Sequence, residues 1–243
     1  MKKAVIVGAS SGMGCEVSKL LLARGWKIGV AARRESALSE LKALNPEMVE
    51  METIDIDAQD APDRLSELIG RLGGIDLYFH AAGIGFRNHF LDPGIEEKTV
   101  LTNSLGFTRM LDKVFNIMSE NGGGHIAAIS SIAGTKGLGP APAYSATKAF
   151  QATYIQALEQ LANTRGLPIR FTDIRPGFVN TALLSDGHHY PILMKPEKAA
   201  KEIADAILSN RHVRVIDWRY RILTGLWQLI PRCLWRHMRL ESK

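Results

Sequence analysis

Three side chains in the middle of the chain have the types and the spacing to move a proton. Tyr144 and Lys148 lie in the run Tyr144-Ser145-Ala146-Thr147-Lys148, and Ser131 stands thirteen residues before the tyrosine. Residues 143–162 are rich in Ala, Leu and Gln, with apolar positions at helical spacing, so Tyr144 and Lys148 at i and i+4 share one helix face. An ammonium beside a phenol favours the phenolate, which predicts a tyrosine pKa drawn down from about 10 towards neutrality. Such a pair is a general acid/base. Alone, Y-x-x-x-K also fits a solvated surface pair. Ser131 singles this one out, because it follows the apolar run 125–129, which reads as a buried strand. Strand ends are where open α/β sheets place their chemistry.

The elements that would hold these residues alternate along the chain. Segments 4–7, 27–31, 48–56, 75–79, 125–129, 168–174 and 213–216 read as strands. Helical patterns fall between them, at 35–44 before Asn45-Pro46, at 96–115 and at 196–208, and one follows the first glycines through Val17, Leu20 and Leu21 to Gly25. This order predicts an α/β fold, doubly wound and Rossmann-type, with a mostly parallel seven-stranded sheet and helices on both faces. At 243 residues the chain is long enough for one well-buried domain, placed at 1–217, followed by a basic amphipathic extension at 218–243.

The turn after the first strand is Gly8-Ala9-Ser10-Ser11-Gly12-Met13-Gly14. Glycines there let the backbone approach a pyrophosphate, whose charge is met by N–H groups and by the positive end of the next helix. The spacing is G-x-x-x-G-x-G, not the G-x-G-x-x-G of many dinucleotide folds. With Ser131, Tyr144 and Lys148 it resembles the short-chain dehydrogenase/reductase family, and the resemblance runs from Ala4 to about Ile216. It implies that Gly8, Ser10, Ser11, Gly12, Met13 and Gly14 hold a dinucleotide. Val7 stands where the family often has Thr.

The same resemblance assigns the other cofactor contacts. Ala32 occupies the position of the acidic residue of NAD-preferring members, and Arg33 follows it, beside Arg34. A guanidinium can take a 2′-phosphate through two hydrogen bonds, so NADP(H) is expected over NAD(H); a solvated pair of arginines at a helix entry is the competing reading. Asp57, next to Ala58, is the expected adenine contact, with Asp55 as the competing assignment and Asp60 as a helix N-cap. His80-Ala81-Ala82-Gly83 replaces the family's Asn-Asn-Ala-Gly. Ala81, Ala82 and Gly83 still let the backbone pass beside adenosine, while His80 is expected to be structural and to supply part of the missing strand-to-strand bonding. Pro176, Gly177, Val179 and Thr181 form the P-G-x-V-x-T segment expected over the nicotinamide. Asn103 is expected to hold a water beside Lys148, a packing amide being the alternative.

Composition narrows the class. With 46% hydrophobic and 23% charged residues the chain is ordinary globular protein, and no uninterrupted apolar run approaches the length of a membrane span. Cys15 and Cys233 lie far apart in the sequence with no C-x-x-C or histidine cluster, so neither a disulfide framework nor a metal site is suggested, which points to a reducing compartment, the cytoplasm. Cys15 reads as a small packed residue, with a redox-sensitive thiol as the alternative. Against a net charge of +5, the segment 211–243 carries eight Lys and Arg and two Asp and Glu, a balance of +6, so the rest of the chain sums to −1. Basicity confined to the tail argues against a nucleic-acid partner. The tail interleaves Leu223, Leu226, Trp227, Ile230, Leu234 and Met238 with arginines and is divided by Pro231, which suits self-association as a dimer or tetramer, then a membrane surface, with packing on the body as the third reading.

The resemblance thus implies an NADP(H)-dependent oxidoreductase acting on CH–OH, with Ser131, Tyr144, Lys148 and Asn103 as catalytic residues, Tyr144 and Lys148 also meeting the cofactor, where Lys148 holds the nicotinamide ribose. The apolar segment 182–195 predicts a loop closing over a hydrophobic ketone, aldehyde or secondary alcohol, with His188 and His189 as solvated loop residues. A membrane-surface lipid or steroid reductase and a non-catalytic NADP-binding regulator are the alternatives.

Overall fold

The computed structural model describes residues 1–181, 184, 190 and 192–239. Seven strands, β1 Lys3–Val7, β2 Lys27–Ala32, β3 Val49–Thr53, β4 Leu77–His80, β5 Gly124–Ile129, β6 Ile169–Arg175 and β7 Val213–Val215, pair side by side in parallel in the order β3-β2-β1-β4-β5-β6-β7. Every pairing is parallel, so the expected sheet is borne out and is more uniform than expected. The order reverses between β1 and β4. There the connections leave in opposite directions and open a crevice at the carboxyl ends of the strands, the usual ligand position of such sheets.

A parallel sheet covered on both faces needs strands that are apolar on both sides. β1 supplies them: Ala4 and Ile6 point into one core, Val5 and Val7 into the other. The first core is closed by helices α1 Gly12–Ala23, α2 Glu35–Leu44 and α7 Pro196–Leu208, through Val17, Leu21, Leu38, Leu41, Ile203 and Ile207. The second is closed by α3 Ala61–Leu72, α5 Phe107–Glu120 and α6 Pro142–Thr164, through Leu65, Leu68, Phe107, Leu111, Ile155 and Leu158. At the β3 edge Glu52 alternates outward and takes ion pairs from Arg64 and Arg71, each at 2.6 Å, which blunts the open edge with charge.

Two elements differ from the sequence expectation, the helix over 96–115 and the cap at Asp60. The single helix expected over 96–115 is α4 Pro93–Val100 and α5 joined by a π-helical turn, Leu101–Gly106. Gly106 permits the bulge, because a Cβ there would sit 2.7 Å from the Ile56 carbonyl oxygen. Asp60 occupies the N-cap position of α3, but its side chain makes no capping hydrogen bond; its backbone carbonyl accepts from Asp63 and Arg64 instead. The tail forms α8 Trp218–Leu229 and, after Pro231, a short α9 Arg232–Trp235. Its first turn is tied to the body, since Tyr220 is wholly buried in the first core.

Candidate active site

The glycine turn closes the crevice from below. Gly8 adopts φ +91, donates its N–H to the Ala31 carbonyl at 2.8 Å, and lies so near β4 that a Cβ would overlap the Ala82 backbone. Gly12, φ +56, opens α1. A Cβ on Gly14 would strike the Gly8 carbonyl. Ser11 stands at the N-cap without a side-chain bond to the first turn, and that turn carries no acidic residue, so its N–H groups and dipole are available to an anion. Met13 packs back against the core. This is a cradle that any side chain would fill.

At the end of β2, Arg34 donates through Nη2 to the Ser10 carbonyl at 3.1 Å and to the Ser10 hydroxyl at 3.2 Å, while Arg33 is exposed. Across the crevice, Asp57 accepts a hydrogen bond from the Thr102 hydroxyl on Oδ2 at 2.9 Å, and its buried Oδ1 has no partner. Asp55 is exposed and braces the turn, accepting from the Asp57 N–H at 3.2 Å while its carbonyl takes the Ala58 N–H at 3.0 Å. An orphaned buried acceptor is costly, and an amino group brought by a ligand would relieve it. The glycine cradle, the acid-free helix start, the guanidinium at Ser10 and the orphaned Asp57 oxygen together fit a dinucleotide.

Ala81 donates to the Val7 carbonyl at 2.8 Å, so the backbone after β4 runs beside the glycine turn. Gly83 brings the backbone near Asn103 and Lys148: a Cβ would lie 3.3 Å from Asn103 Oδ1 and 3.5 Å from Lys148 Nζ. Asn103 clamps the next residue by both edges of its amide, accepting the Ile84 N–H at 2.9 Å and donating to the Ile84 carbonyl at 2.7 Å, with Thr147 Oγ1 at 3.2 Å. His80 is buried and bonds to Tyr78 of its own strand at 2.8 Å, not to a neighbouring strand. Burial, aided by the charge of Lys148, lowers its pKa to about 3, so the ring is neutral; the Ala82 backbone pulls weakly the other way, without a hydrogen bond of normal length to Nε2.

Ser131, Tyr144 and Lys148 meet above this floor. Ser131 caps the 3-10 turn Ile132–Thr135, accepting the Ala133 N–H at 3.0 Å. Its neighbour Ser130 is taken by Asp173, which also pairs with Arg175 at 2.6 Å. The Tyr144 ring is packed by Gly85, where a Cβ would lie 2.6 Å from the ring. Lys148 Nζ donates to the Ile129 carbonyl at 3.1 Å and to Gln151 Oε1 at 2.8 Å.

One expectation is overturned here. The Tyr144 pKa is raised, not drawn down by Lys148: burial disfavours the phenolate, and only the neighbouring Ser131 hydroxyl opposes it. The reason is geometric. Nζ is held by Ile129 and Gln151, 5.8 Å from the Tyr144 ring centroid, and burial brings Lys148 itself down to about 8 despite the nearby charge of Asp173.

The segment Pro176-Gly177-Phe178-Val179-Asn180-Thr181 bridges the two halves of the crevice. The Pro176 carbonyl accepts the Ile132 N–H at 3.1 Å at one end, and Thr181 Cγ2 would meet a Cβ on Gly12 at 3.1 Å at the other. Val179 is buried and pairs with Met194. Most of the expected substrate loop, residues 182, 183, 185–189 and 191 with His188 and His189, lies outside the described residues. Sequence reasoning missed Gln151, Thr102 and Tyr220. Of these only Gln151 left a signal, as it sits one turn past Lys148 on the same helix stripe.

The comparisons agree with this architecture. The sequence profile described as short chain dehydrogenase matches residues 2–189. An uncharacterized oxidoreductase of Myxococcus xanthus is 31% identical over 243 residues, covering 96% of this chain and 94% of that protein. One of Mycobacterium tuberculosis is 28% identical, covering 95% of each. Among solved structures, a short-chain dehydrogenase from Streptomyces avermitilis superposes with a TM-score of 0.81 at 24% identity, covering 93% of both chains. A closed serine dehydrogenase complexed with NADP+ gives 0.80 at 24% identity, covering 88% of this chain and 94% of that one. The protein belongs to the short-chain dehydrogenase family of oxidoreductases.

Proposed function

We propose that the protein is an NADP(H)-dependent oxidoreductase that interconverts a hydrophobic ketone or aldehyde and its alcohol. The observation that carries this reading is the meeting of Ser131, Tyr144 and Lys148 at the mouth of a crevice whose floor fits a dinucleotide. Arg34 beside Ser10 would take the 2′-phosphate, Asp57 the adenine amino group, and the N–H groups opening α1 the pyrophosphate. The cofactor, when bound, supplies or accepts the hydride. Tyr144 then gives its proton to the substrate oxygen or takes one from it, and Ser131 hydrogen-bonds that oxygen and fixes its place. Lys148, with Nζ 5.8 Å from the Tyr144 ring centroid, supplies positive charge that favours loss of the Tyr144 proton, and Asn103 holds the Gly83-Ile84 backbone that walls the site. Phe86, 45% exposed next to Gly85 on the Tyr144 ring, supports an apolar substrate.

The test is a titration with NADPH, NADH, NADP and NAD followed by turnover of a panel of apolar ketones. Tyr144→Phe should keep NADPH affinity and lose turnover. Wild-type turnover in that variant removes Tyr144 from the mechanism, and failure of the folded protein to bind any dinucleotide removes the enzyme reading.

One surface favours a second, compatible reading, a reductase working at an anionic membrane. Trp218, Ile222, Leu226 and Leu229 form an exposed stripe along α8, and Trp218 to Arg239 holds five arginines and no acidic residue. The Trp235 indole donates to the Gly137 carbonyl at 2.8 Å and Lys136 to the Ile230 carbonyl at 2.7 Å, so this surface borders the loop that follows Ser131. Among the described residues no helix is long and apolar enough to cross a membrane, which leaves surface contact. Co-sedimentation with vesicles containing phosphatidylserine should be lost in Ile222→Ser/Leu226→Ser. A stripe that instead holds a second copy of the chain would show as a dimer that these substitutions dissociate.

A further inference from the structure

Gln151 lies wholly buried on the face of α6 that carries Tyr144 and Lys148. A buried amide is costly without hydrogen-bond partners, so its bonds are structural commitments. Oε1 accepts from Lys148 Nζ at 2.8 Å, and Nε2 donates to the Asn103 backbone carbonyl at 2.9 Å. The amide cannot be flipped, because that would turn an NH2 group on an ammonium and a carbonyl oxygen on a carbonyl oxygen. Asn103 sits inside the π-helical turn, an irregularity often found where a helix serves a site. An ammonium has three N–H donors. With one on the Ile129 carbonyl and one on Gln151, a single donor remains for the Tyr144 side of the crevice.

We propose that Gln151 is a positioning residue of this site: its side-chain amide couples the Lys148 ammonium to the Asn103 carbonyl and aims the remaining Lys148 N–H at the reacting end of the crevice. The proposal rests on reading Tyr144 and Lys148 as the acid/base apparatus, and it links Lys148 to Asn103 through a side chain of the same helix. A chain without Gln151 would hold its lysine charge less firmly. The other charged or titratable groups facing Lys148 are Tyr144 on its own helix, neutral His80 on β4, and Asp173 on β6, itself paired with Arg175.

The experiment is an NMR titration of the Lys148 side chain in lysine-labelled protein, the resonance being assigned by its loss in Lys148→Met. Gln151→Leu removes the acceptor, and a hydrogen bond to a charged group is worth about 1.5–3 kcal/mol, so the Lys148 midpoint should fall by about one to two pH units, a ten- to hundredfold loss of proton affinity. Gln151→Glu should move it up past wild type. Opposite shifts from two side chains of similar size are not what a packing role produces. An unmoved midpoint in folded Gln151→Leu overturns the proposal, as does a fall in Gln151→Glu; if the leucine variant does not fold, Gln151→Met takes its place with the same expectation. Where wild type turns over, the alkaline limb of its kcat profile should move with the midpoint while KM for NADPH stays put. The titration itself needs no turnover, so an inactive wild type would count against the proposed function and leave this result to be read on its own.

Discussion

Thr102 holds one carboxylate oxygen of Asp57 at 2.9 Å and leaves the other buried without a partner. The π-helical turn thereby leaves one acceptor of Asp57 unsatisfied among the described residues, at the end of the crevice proposed for adenosine. Asp57→Ala should weaken NADPH and NADH alike, by roughly tenfold or more, as expected for one hydrogen bond to a charged group. Thr102→Val, which only frees the carboxylate to turn, should cost less. Fluorescence titration separates the two, and equal affinity of Asp57→Ala and wild type would remove Asp57 from the adenine site.

Arg34 and Arg33 differ in preparation. Arg34 is already folded onto Ser10, whereas Arg33 extends into solvent, so Arg34 loses less conformational freedom on meeting a phosphate. Arg34→Ala should lower NADPH affinity by about tenfold or more and leave NADH almost unchanged. Arg33→Ala should show the same selectivity with a smaller loss. Equal losses for the two cofactors would mean that neither guanidinium reads the 2′-phosphate.

The fold was legible where one residue's neighbours in sequence are also its neighbours in space. Strands buried on both faces announce themselves as apolar runs, and a strand, a glycine turn and a helix form a local unit, so the seven strands and the glycine cradle could be read directly. The π-helical turn could not, because Leu101 to Gly106 carries ordinary helical residues and the bulge answers to the Ile56 carbonyl across the crevice. Tyr144 and Lys148 were legible as a pair on one face, but their electrostatics were not: burial of both groups, and the capture of Nζ by Ile129 and Gln151, reverse the shift that an exposed pair would show. Likewise two adjacent arginines look alike until Ser10, twenty-four residues back, selects one of them.

Two buried histidines make acid stability a readout of the core. Burial, with Lys148 adding, brings His80 down to about 3, and burial, with Arg170 adding, brings His125 to about 4. Unfolded, each would take a proton near pH 6.5. Between these values the unfolded chain binds more protons, so stability is fully present above about pH 6.5 and is lost as pH falls towards 4, at about 1.4 kcal/mol per unit for each histidine. His80→Asn keeps an acceptor for Tyr78 and removes one of the two contributions. Its melting temperature should therefore fall less steeply between pH 6.5 and 4 than that of wild type, and parallel slopes would show that His80 does not stay neutral.

Tyr220 makes the start of the tail the backing of the Gly177-Phe178 segment. Its ring lies against Gly177, where any Cβ would overlap it, packs edge-on to Phe178 with centroids 6.2 Å apart, and sends its hydroxyl to the Ile192 carbonyl at 3.2 Å. The segment expected over the nicotinamide is thus backed by a side chain from α8. Tyr220→Ala should cost about 3–5 kcal/mol, as large aromatic truncations in cores do, and should weaken NADPH binding through the loosened Gly177-Phe178 backbone. Tyr220→Phe keeps the packing, loses a single hydrogen bond worth about 1 kcal/mol, and should bind normally. A chain ending at Asp217 should behave like Tyr220→Ala or worse, since it also removes Thr224, buried one turn on. Melting curves and NADPH titrations on the three variants decide the matter: a chain ending at Asp217 with wild-type stability and affinity would make the tail a true appendage, and the backing of Gly177 by Tyr220 would be incidental.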